Sequence, residues 1–148
     1  MTWLPHVTVA AVIPRNGQFL MVKERSDIGD LVINQPAGHL ESGETLIEAV
    51  VREALEETGW HVEPEALLGF NLYTAPANGI TYFRCNFLAK PIEKNDQAVI
   101  DKDICEVIWI SETELRQQIS QLRSPMVLKA IDNFNSGIRY PLSLLQNN

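Results

Sequence analysis

Between Gly38 and Trp60 the chain reads GHLESGETLIEAVVREALEETGW, and no other stretch narrows the possible folds as far, because this one carries both ends of a helix and a one-sided crowd of carboxylates. Thr45 is a good N-cap and Glu48 stands three residues later, so each side chain can satisfy the other residue's free backbone N–H. Gly59 supplies the stop, since glycine takes the left-handed conformation past a last turn without strain. Between these signals Ile47, Val50, Val51, Ala54 and Leu55 recur at helical spacing and predict one apolar face that must be buried.

At about 100° per residue, Glu53, Glu56 and Glu57 fall within an arc of roughly 100°, off that apolar stripe. Carboxylates at these spacings repel and destabilise an isolated helix by a few tenths of a kcal/mol per pair. A hard divalent cation such as Mg²⁺ would offset the repulsion, because it is held by a few carboxylates while keeping waters and phosphates as its other ligands. Arg52, four residues after Glu48 and four before Glu56, offers a partial alternative along the helix. An ordinary acidic solvent face laced with salt bridges uses the same residues, so the helix alone leaves both readings open.

The upstream context separates them. Gly38, Glu44, Arg52-Glu53, Glu56-Glu57 and Gly59 stand at the spacing of the Nudix box, and the chain resembles the Nudix hydrolase family. Ala54 and Trp60 occupy positions where that family usually has a larger aliphatic residue; both are apolar, so they bear on packing and not on chemistry. The resemblance implies that Glu53, Glu56 and Glu57 hold one or more Mg²⁺ or Mn²⁺ ions, that the backbone of Gly38 joins the metal site, that Arg52 orients the glutamates, and that Glu44 supports them. It also implies an α/β fold, the Nudix α/β/α sandwich with a mixed sheet, as a single domain over residues 1–148.

A chain of 148 residues can bury a real core in one domain. Its 45% hydrophobic and 21% charged residues are those of a soluble globular protein, and no apolar run approaches the roughly 20 residues of a membrane span. The N-terminus has no basic region before its short apolar segment, so a secretory signal is not expected and the cytoplasm is the default location. A net charge of −7 argues against a partner such as DNA or an anionic membrane, where a basic surface supplies most of the affinity. It leaves room for a small phosphorylated substrate, because a bound cation supplies local positive charge. Cys85 and Cys105 lie far apart, without metal-ligand spacing, in strand-like runs; both are expected to be buried free thiols.

Along the chain, His6 to Pro14 reads as a strand, Arg15-Asn16-Gly17 as a hairpin turn, and Gln18 to Glu24 as the returning strand. Leu31 to Gln35 is a short extended piece before Pro36. Leu67 to Tyr73 and Ile80 to Ala89 predict two strands about the turn Ala75–Gly79, and Lys90 to Asp103 reads as a polar loop. Cys105 to Ile110 is a strand, Ser111 caps a helix with Glu114 three residues on, and a last helix follows Pro125 to about Asn135, stopping at Gly137. His6 is expected at a strand end on the surface, with no partner histidine at a regular spacing.

Carboxylates carrying Mg²⁺ can neutralise a diphosphate and lower the pKa of a bound water, which gives hydrolysis of a phosphoanhydride. No serine or cysteine stands beside a recognisable base, so a covalent route has no support. The general base is open among Glu56, Glu57, Asp101, Asp103 and Glu106. Five segments, HVTVA, Asn34-Gln35-Pro36-Ala37, AGHLE, Leu122-Arg123-Ser124-Pro125 and Ser136 to Pro141, are similar to one bacterial branch of the family. That branch acts as phosphatases on nucleoside tri- and diphosphates and on the hydroxymethylpyrimidine diphosphate of thiamine biosynthesis, which makes thiamine pyrophosphate a further substrate of interest. On this resemblance Arg123, Arg139 and His39 are candidates to grip phosphate, each with a bland alternative as a surface pair or helix cap. Tyr73, Tyr82, Phe83 and Trp109 are candidates to stack on a base or to fill the core. Two other functions stay open: cleavage of an internal pyrophosphate in a dinucleotide, nucleoside triphosphate or capped RNA, and a non-catalytic ligand sensor. Either a monomer or a homodimer is compatible with the size.

Overall fold

The computed structural model describes residues 2–147. Their order is β1 (His6–Val12), β2 (Pro14–Arg15), β3 (Gln18–Arg25), β4 (Leu31–Asn34), β5 (Ala37–His39), α1 (Leu46–Thr58), β6 (Trp60–Thr74), β7 (Thr81–Lys94), β8 (Ile104–Ser111), α2 (Glu112–Arg116) and α3 (Met126–Asn135). Single 3₁₀ turns at Ile119–Gln121 and Leu142–Leu144 link and follow the last helices. None of the described helices is long and apolar enough to cross a membrane.

The strands form two sheets. The first runs β5-β1-β7-β6 and is mixed: β1 is parallel to β7, while β5 and β6 are antiparallel to their neighbours. In the second, antiparallel sheet β3 is central, with β8 along one edge and β2 and β4 along the other. The Asn16-Gly17 hairpin forms as its sequence predicts, with both residues at positive φ (52° and 75°), the mirror-image turn whose twist matches the flanking strands.

Strand alternation sends successive side chains to opposite faces. Val9, Ala11, Leu20, Leu67 and Phe87 pack in one cluster with Ala49, Val50 and Ala54 of α1. Val12, Phe19, Met21 and Leu68 pack in another with Leu115 of α2 and with Val127, Ala130 and Ile131 of α3. The strands therefore lie between α1 and α3. The architecture is α/β with a mixed sheet between helical layers, as the resemblance implies.

Several expectations need correction. β6 begins at Trp60, well before Leu67, and β7 continues to Lys94, so the first residues of the expected loop Lys90–Asp103 are strand. Pro64 and Pro91 disguise this extension. β6 is an edge strand, and β1 stops pairing with β7 at Leu88, so both prolines lie where a missing N–H costs no ladder bond on the far side. Register shifts at His61/Val62, Pro64/Ala66 and Leu67/Gly69 further break the period-2 pattern. Cys85 is a buried free thiol, whereas Cys105 is exposed. On α1 the fully covered residues are Ala49, Val50, Glu53, Ala54, Glu57 and Thr58, while Ile47, Val51 and Leu55 are only half-buried. The buried stripe is rotated toward the glutamates, which the apolar pattern alone does not reveal.

Candidate active site

The site is built where β5 hands the chain to α1. β5 is pinned to β1 through the pairs Thr8↔His39, Val9↔Gly38 and Ala10↔Ala37, and Leu40 donates its N–H to Val7 O. The following turn is closed by Glu44, whose carboxylate accepts the Glu41 N–H at 2.8 Å. The helix then opens with the predicted capping box, Thr45 N–H to Glu48 Oε1 at 2.8 Å and Glu48 N–H to Thr45 Oγ1 at 3.1 Å, and ends at Gly59 with φ 78°. Loop and helix are thus fixed by contacts among near neighbours.

Arg52 organises the carboxylates. It forms a bidentate pair with Glu44 at 2.9 and 2.6 Å, and donates to Glu53 Oε1 at 2.7 Å, to Glu56 Oε2 at 3.2 Å and to the His39 carbonyl at 3.0 Å. Glu41 approaches the same guanidinium at 3.5 Å. One cation faces four carboxylates, so the cluster stays strongly negative. Glu53 and Glu57 are each 8% exposed. Burial pushes the Glu53 carboxyl up to about 7 against the pull of Arg52, and pushes Glu57 up to about 9 although the Ala37 N–H donates to it at 2.9 Å.

Three features fit a divalent cation. Glu53, Glu56 and Asp101 offer carboxylate oxygens all within 4.8 Å of one another, a hard oxygen donor set. Buried acids held above their ordinary range lack positive charge, which a cation supplies. At Gly38 an added Cβ would collide with the Glu53 carboxyl group, so only glycine lets that carboxylate lie against the strand backbone. Of the metal set expected from the box, the structure brings Glu53 and Glu56 together and adds Asp101, whose N–H bonds to Glu56 O at 2.9 Å. Glu57 stands apart from that trio and lines the adjoining cavity with Gly38 and Glu53. Among the other acids considered as bases, Glu106 pairs with Lys23 at 3.6 Å, and it and Asp103 are exposed outside the cavity.

The cavity has a volume of about 590 Å³, within the usual range for small-ligand sites. His39 and Arg123, candidates to grip phosphate, and Tyr73 and Tyr82, candidates to stack on a base or to fill the core, all line it. His39 Nε2 lies 3.0 Å from His6 Nδ1, so His6 is not the isolated surface residue expected but the partner of the cavity-edge histidine. Burial, aided by His6 and Arg123, lowers the His39 pKa and favours its neutral form. Arg139 is not brought to the cavity: it donates to the Phe134 and Ile138 carbonyls at 3.1 and 3.0 Å and lies over the Phe134 ring, closing the end of α3. Phe83 stacks on Phe70 at the surface, and Trp109 packs edge-on to Trp60 with Arg15 above it.

The floor holds residues that no motif of the sequence singles out. Arg84, 3% exposed, donates to Asn86 Oδ1 at 3.1 Å, Asn34 Oδ1 at 3.4 Å and Gln35 Oε1 at 2.7 Å, all neutral acceptors. Gln35 is locked in turn to Val127 O at 2.9 Å, and Asn86 to Asn71 at 2.7 Å. Burial pushes the Arg84 guanidinium down to about 10. Beside it Glu24 pairs with Arg123, whose own N–H is tied to Ile33 O at 2.8 Å. The readable signal is the alternation Phe83-Arg84-Cys85-Asn86-Phe87, two polar residues on one face of an otherwise apolar strand.

A family model described as NUDIX domain matches residues 4–129. The chain is similar to Phosphatase NudJ of Escherichia coli strain K12, with 40% identity over 146 residues covering 95% of this chain and 90% of that protein. Among solved structures it is similar to a NUDIX hydrolase from Nitrosomonas europaea, at 40% identity and a TM-score of 0.96 over 98% of both chains. A MutT NUDIX hydrolase from Burkholderia pseudomallei shares the fold at 24% identity, with a TM-score of 0.70 over 88% of this chain and 98% of that one.

Proposed function

The chain belongs to the Nudix hydrolase family, and from that membership we propose that it is a Mg²⁺-dependent phosphohydrolase that removes the terminal phosphate of nucleoside tri- and diphosphates, and of hydroxymethylpyrimidine diphosphate or thiamine pyrophosphate, releasing orthophosphate. Action on phosphorus-containing anhydrides follows from the family; the choice of a terminal phosphate is supported by the 40% identity to a protein named a phosphatase. Mn²⁺ is the natural substitute metal. The reading includes a cytoplasmic enzyme, as monomer or homodimer, that binds neither DNA nor membrane.

The observation that carries the catalytic part is the convergence of Glu53, Glu56 and Asp101 beside Arg52. Glu53, Glu56 and Glu57, with Asp101 and the Gly38 backbone, would hold the cation. When bound, it supplies charge neutralisation of the diphosphate and a nucleophilic water near neutral pH. Arg52 orients two of the carboxylates through its Nη1. The Ala37 N–H holds Glu57 Oε1, so Oε2 is the oxygen left to meet the cation. Arg123 has one N–H on Glu24 and presents its remaining guanidinium groups to phosphate oxygens in the cavity it lines. Tyr73 and Tyr82 offer faces for a flat ring.

The test is product analysis with purified protein and Mg²⁺ on nucleoside tri- and diphosphates, hydroxymethylpyrimidine diphosphate and a dinucleotide, assaying orthophosphate and pyrophosphate separately. Orthophosphate from the mononucleotides or the pyrimidine diphosphate, lost in Glu57→Gln, is expected. Pyrophosphate, or cleavage of the dinucleotide alone, would replace this reading with hydrolysis of an internal pyrophosphate.

A further inference from the structure

Thr8 stands in the middle of β1 and is 8% exposed, with β5 on one flank and β7 on the other. Its register partners are His39 on β5 and Arg84 on β7, so the three side chains form one row across the sheet face that lines the cavity. The Thr8 hydroxyl makes no hydrogen bond among the described residues, yet it is not sealed in, since the one buried side-chain atom left without a partner there is Glu24 Oε1. With strands on both flanks, the surface the hydroxyl keeps faces the cavity. A polar group left open in so covered a place takes its partner from whatever fills that space.

The row of Thr8 is cationic. Arg84 beside it is buried and meets only amide oxygens. Arg123, which lines the same cavity, lies within charge range of both His39 and Arg84. Two carboxylates also lie in range of Arg84, but Glu24 is paired with Arg123 and Glu57 belongs to the cation. Sheet register separates phosphate from ring. Val9, the neighbour of Thr8, pairs with Gly38 of the glutamate cradle. Tyr82, paired with His6 and Tyr73, stands two residues or roughly 7 Å along β7 from Arg84, toward the Ala75–Gly79 turn. A cation beside Gly38 and a ring among the tyrosines leave the row of Thr8 to the phosphates between them. Resting on the phosphohydrolase reading above, we propose that Thr8 is a substrate-binding residue whose hydroxyl donates a hydrogen bond to a non-bridging oxygen of the substrate's diphosphate. An ionised phosphate oxygen only accepts, and the hydroxyl turns to present its proton. Arg84 supplies uncancelled charge beside the contact, and Arg123 adds its own. The contact is indifferent to the organic group.

The test measures kcat/KM with Mg²⁺ saturating for adenosine, cytidine and hydroxymethylpyrimidine diphosphates, and, in parallel, calorimetric binding of methylenediphosphonate, a diphosphate that cannot be hydrolysed. Thr8→Val keeps the shape and the strand preference while removing the hydroxyl. It is expected to lower kcat/KM about ten-fold or more on every one of these substrates, and to weaken methylenediphosphonate binding by a similar factor. Thr8→Ser restores the hydroxyl without the methyl and is expected to recover most of both; Thr8→Ala takes the place of the valine variant if that one fails to fold. Wild-type rates in Thr8→Val overturn the proposal. So does a loss confined to one organic group, which would put the hydroxyl on the ring, or a serine variant as poor as valine at an unchanged melting temperature, which would make Thr8 a packing residue. Methylenediphosphonate that binds wild type and Thr8→Val alike overturns it whatever the rates. A wild type that releases orthophosphate from none of these compounds, while binding methylenediphosphonate more tightly than Thr8→Val does, sinks the phosphohydrolase reading and leaves the contact standing.

Discussion

Arg52 and Arg84 each gather several oxygen acceptors, but they do so to opposite electrical ends. Arg52 is partly exposed and surrounded by Glu41, Glu44, Glu53 and Glu56, so its charge is more than cancelled. Arg84 is buried and meets only amide oxygens, so its charge is solvated without being cancelled. The first arrangement leaves a negative pocket that attracts a cation. The second keeps a positive charge under the cavity floor, suited to an anionic substrate, with Glu24 close by but no carboxylate hydrogen-bonded to the guanidinium. A bidentate carboxylate at Arg84 would have been the stronger pair and the poorer phosphate site.

The sharpest way to break the contrast is to remove one charge from each cluster. Glu53→Gln should lower kcat by on the order of a thousand-fold, while the melting temperature in chelator holds or rises because a buried, repelled carboxyl has gone. Steady-state kinetics and a melting curve on one preparation check both signs. Arg84→Met should act the other way round. It strands the acceptors of Asn34, Gln35 and Asn86 and is expected to destabilise by about 3–5 kcal/mol, read by urea unfolding.

Arg52→Lys sharpens the comparison further. The point charge stays but the fork on Glu44 is lost, so Mg²⁺ affinity should fall about ten- to hundred-fold with little change in unfolding free energy. The smallest effect is the pH slope of the metal-free protein. Glu53 and Glu57 have folded pKa values raised to about 7 and about 9, so the folded form holds more protons than the unfolded one across that range. Their contribution is complete below about 4.5 and is lost as pH rises toward 9; Glu57 alone gives at most about 1.4 kcal/mol per pH unit. Melting in chelator should therefore fall from pH 5 to 9, and saturating Mg²⁺ should flatten the slope. A flat profile in chelator would mean that the two acids are not held protonated.

The same contrast explains which parts of the molecule are legible in its sequence. The Arg52 cluster lies within a single loop and helix, where cap chemistry and the 3.6-residue period place Glu53, Glu56 and Arg52 on neighbouring turns. Glu24, Asn34, Arg84 and Arg123 come from β3, β4, β7 and the segment before α3, and their meeting depends on sheet register that no local pattern encodes. Asp101 is intermediate: its loop position is readable, its hydrogen bond to the helix end is not. Arg139 illustrates the converse, a basic residue whose segment resembles a phosphatase branch yet whose guanidinium closes a helix. Pro64 and Pro91 hide strand because only the sheet order tells which strands are edges.

The parallel pairing of β1 with β7 has a consequence for biosynthesis. Every residue of β1, from His6 through Val12, finds its partner between Tyr82 and Leu88, and β5 hangs on the opposite edge of β1. A chain emerging from the ribosome cannot seat its first strand, nor therefore the backbone that cradles Glu53, until more than half of it has been made. α1 can form its caps on its own, but the cradle closes late. Nascent or truncated chains should thus carry a helical acidic segment long before they carry any hydrolytic capacity, and the exposed edges of β1 are what the cell must shield in the interval.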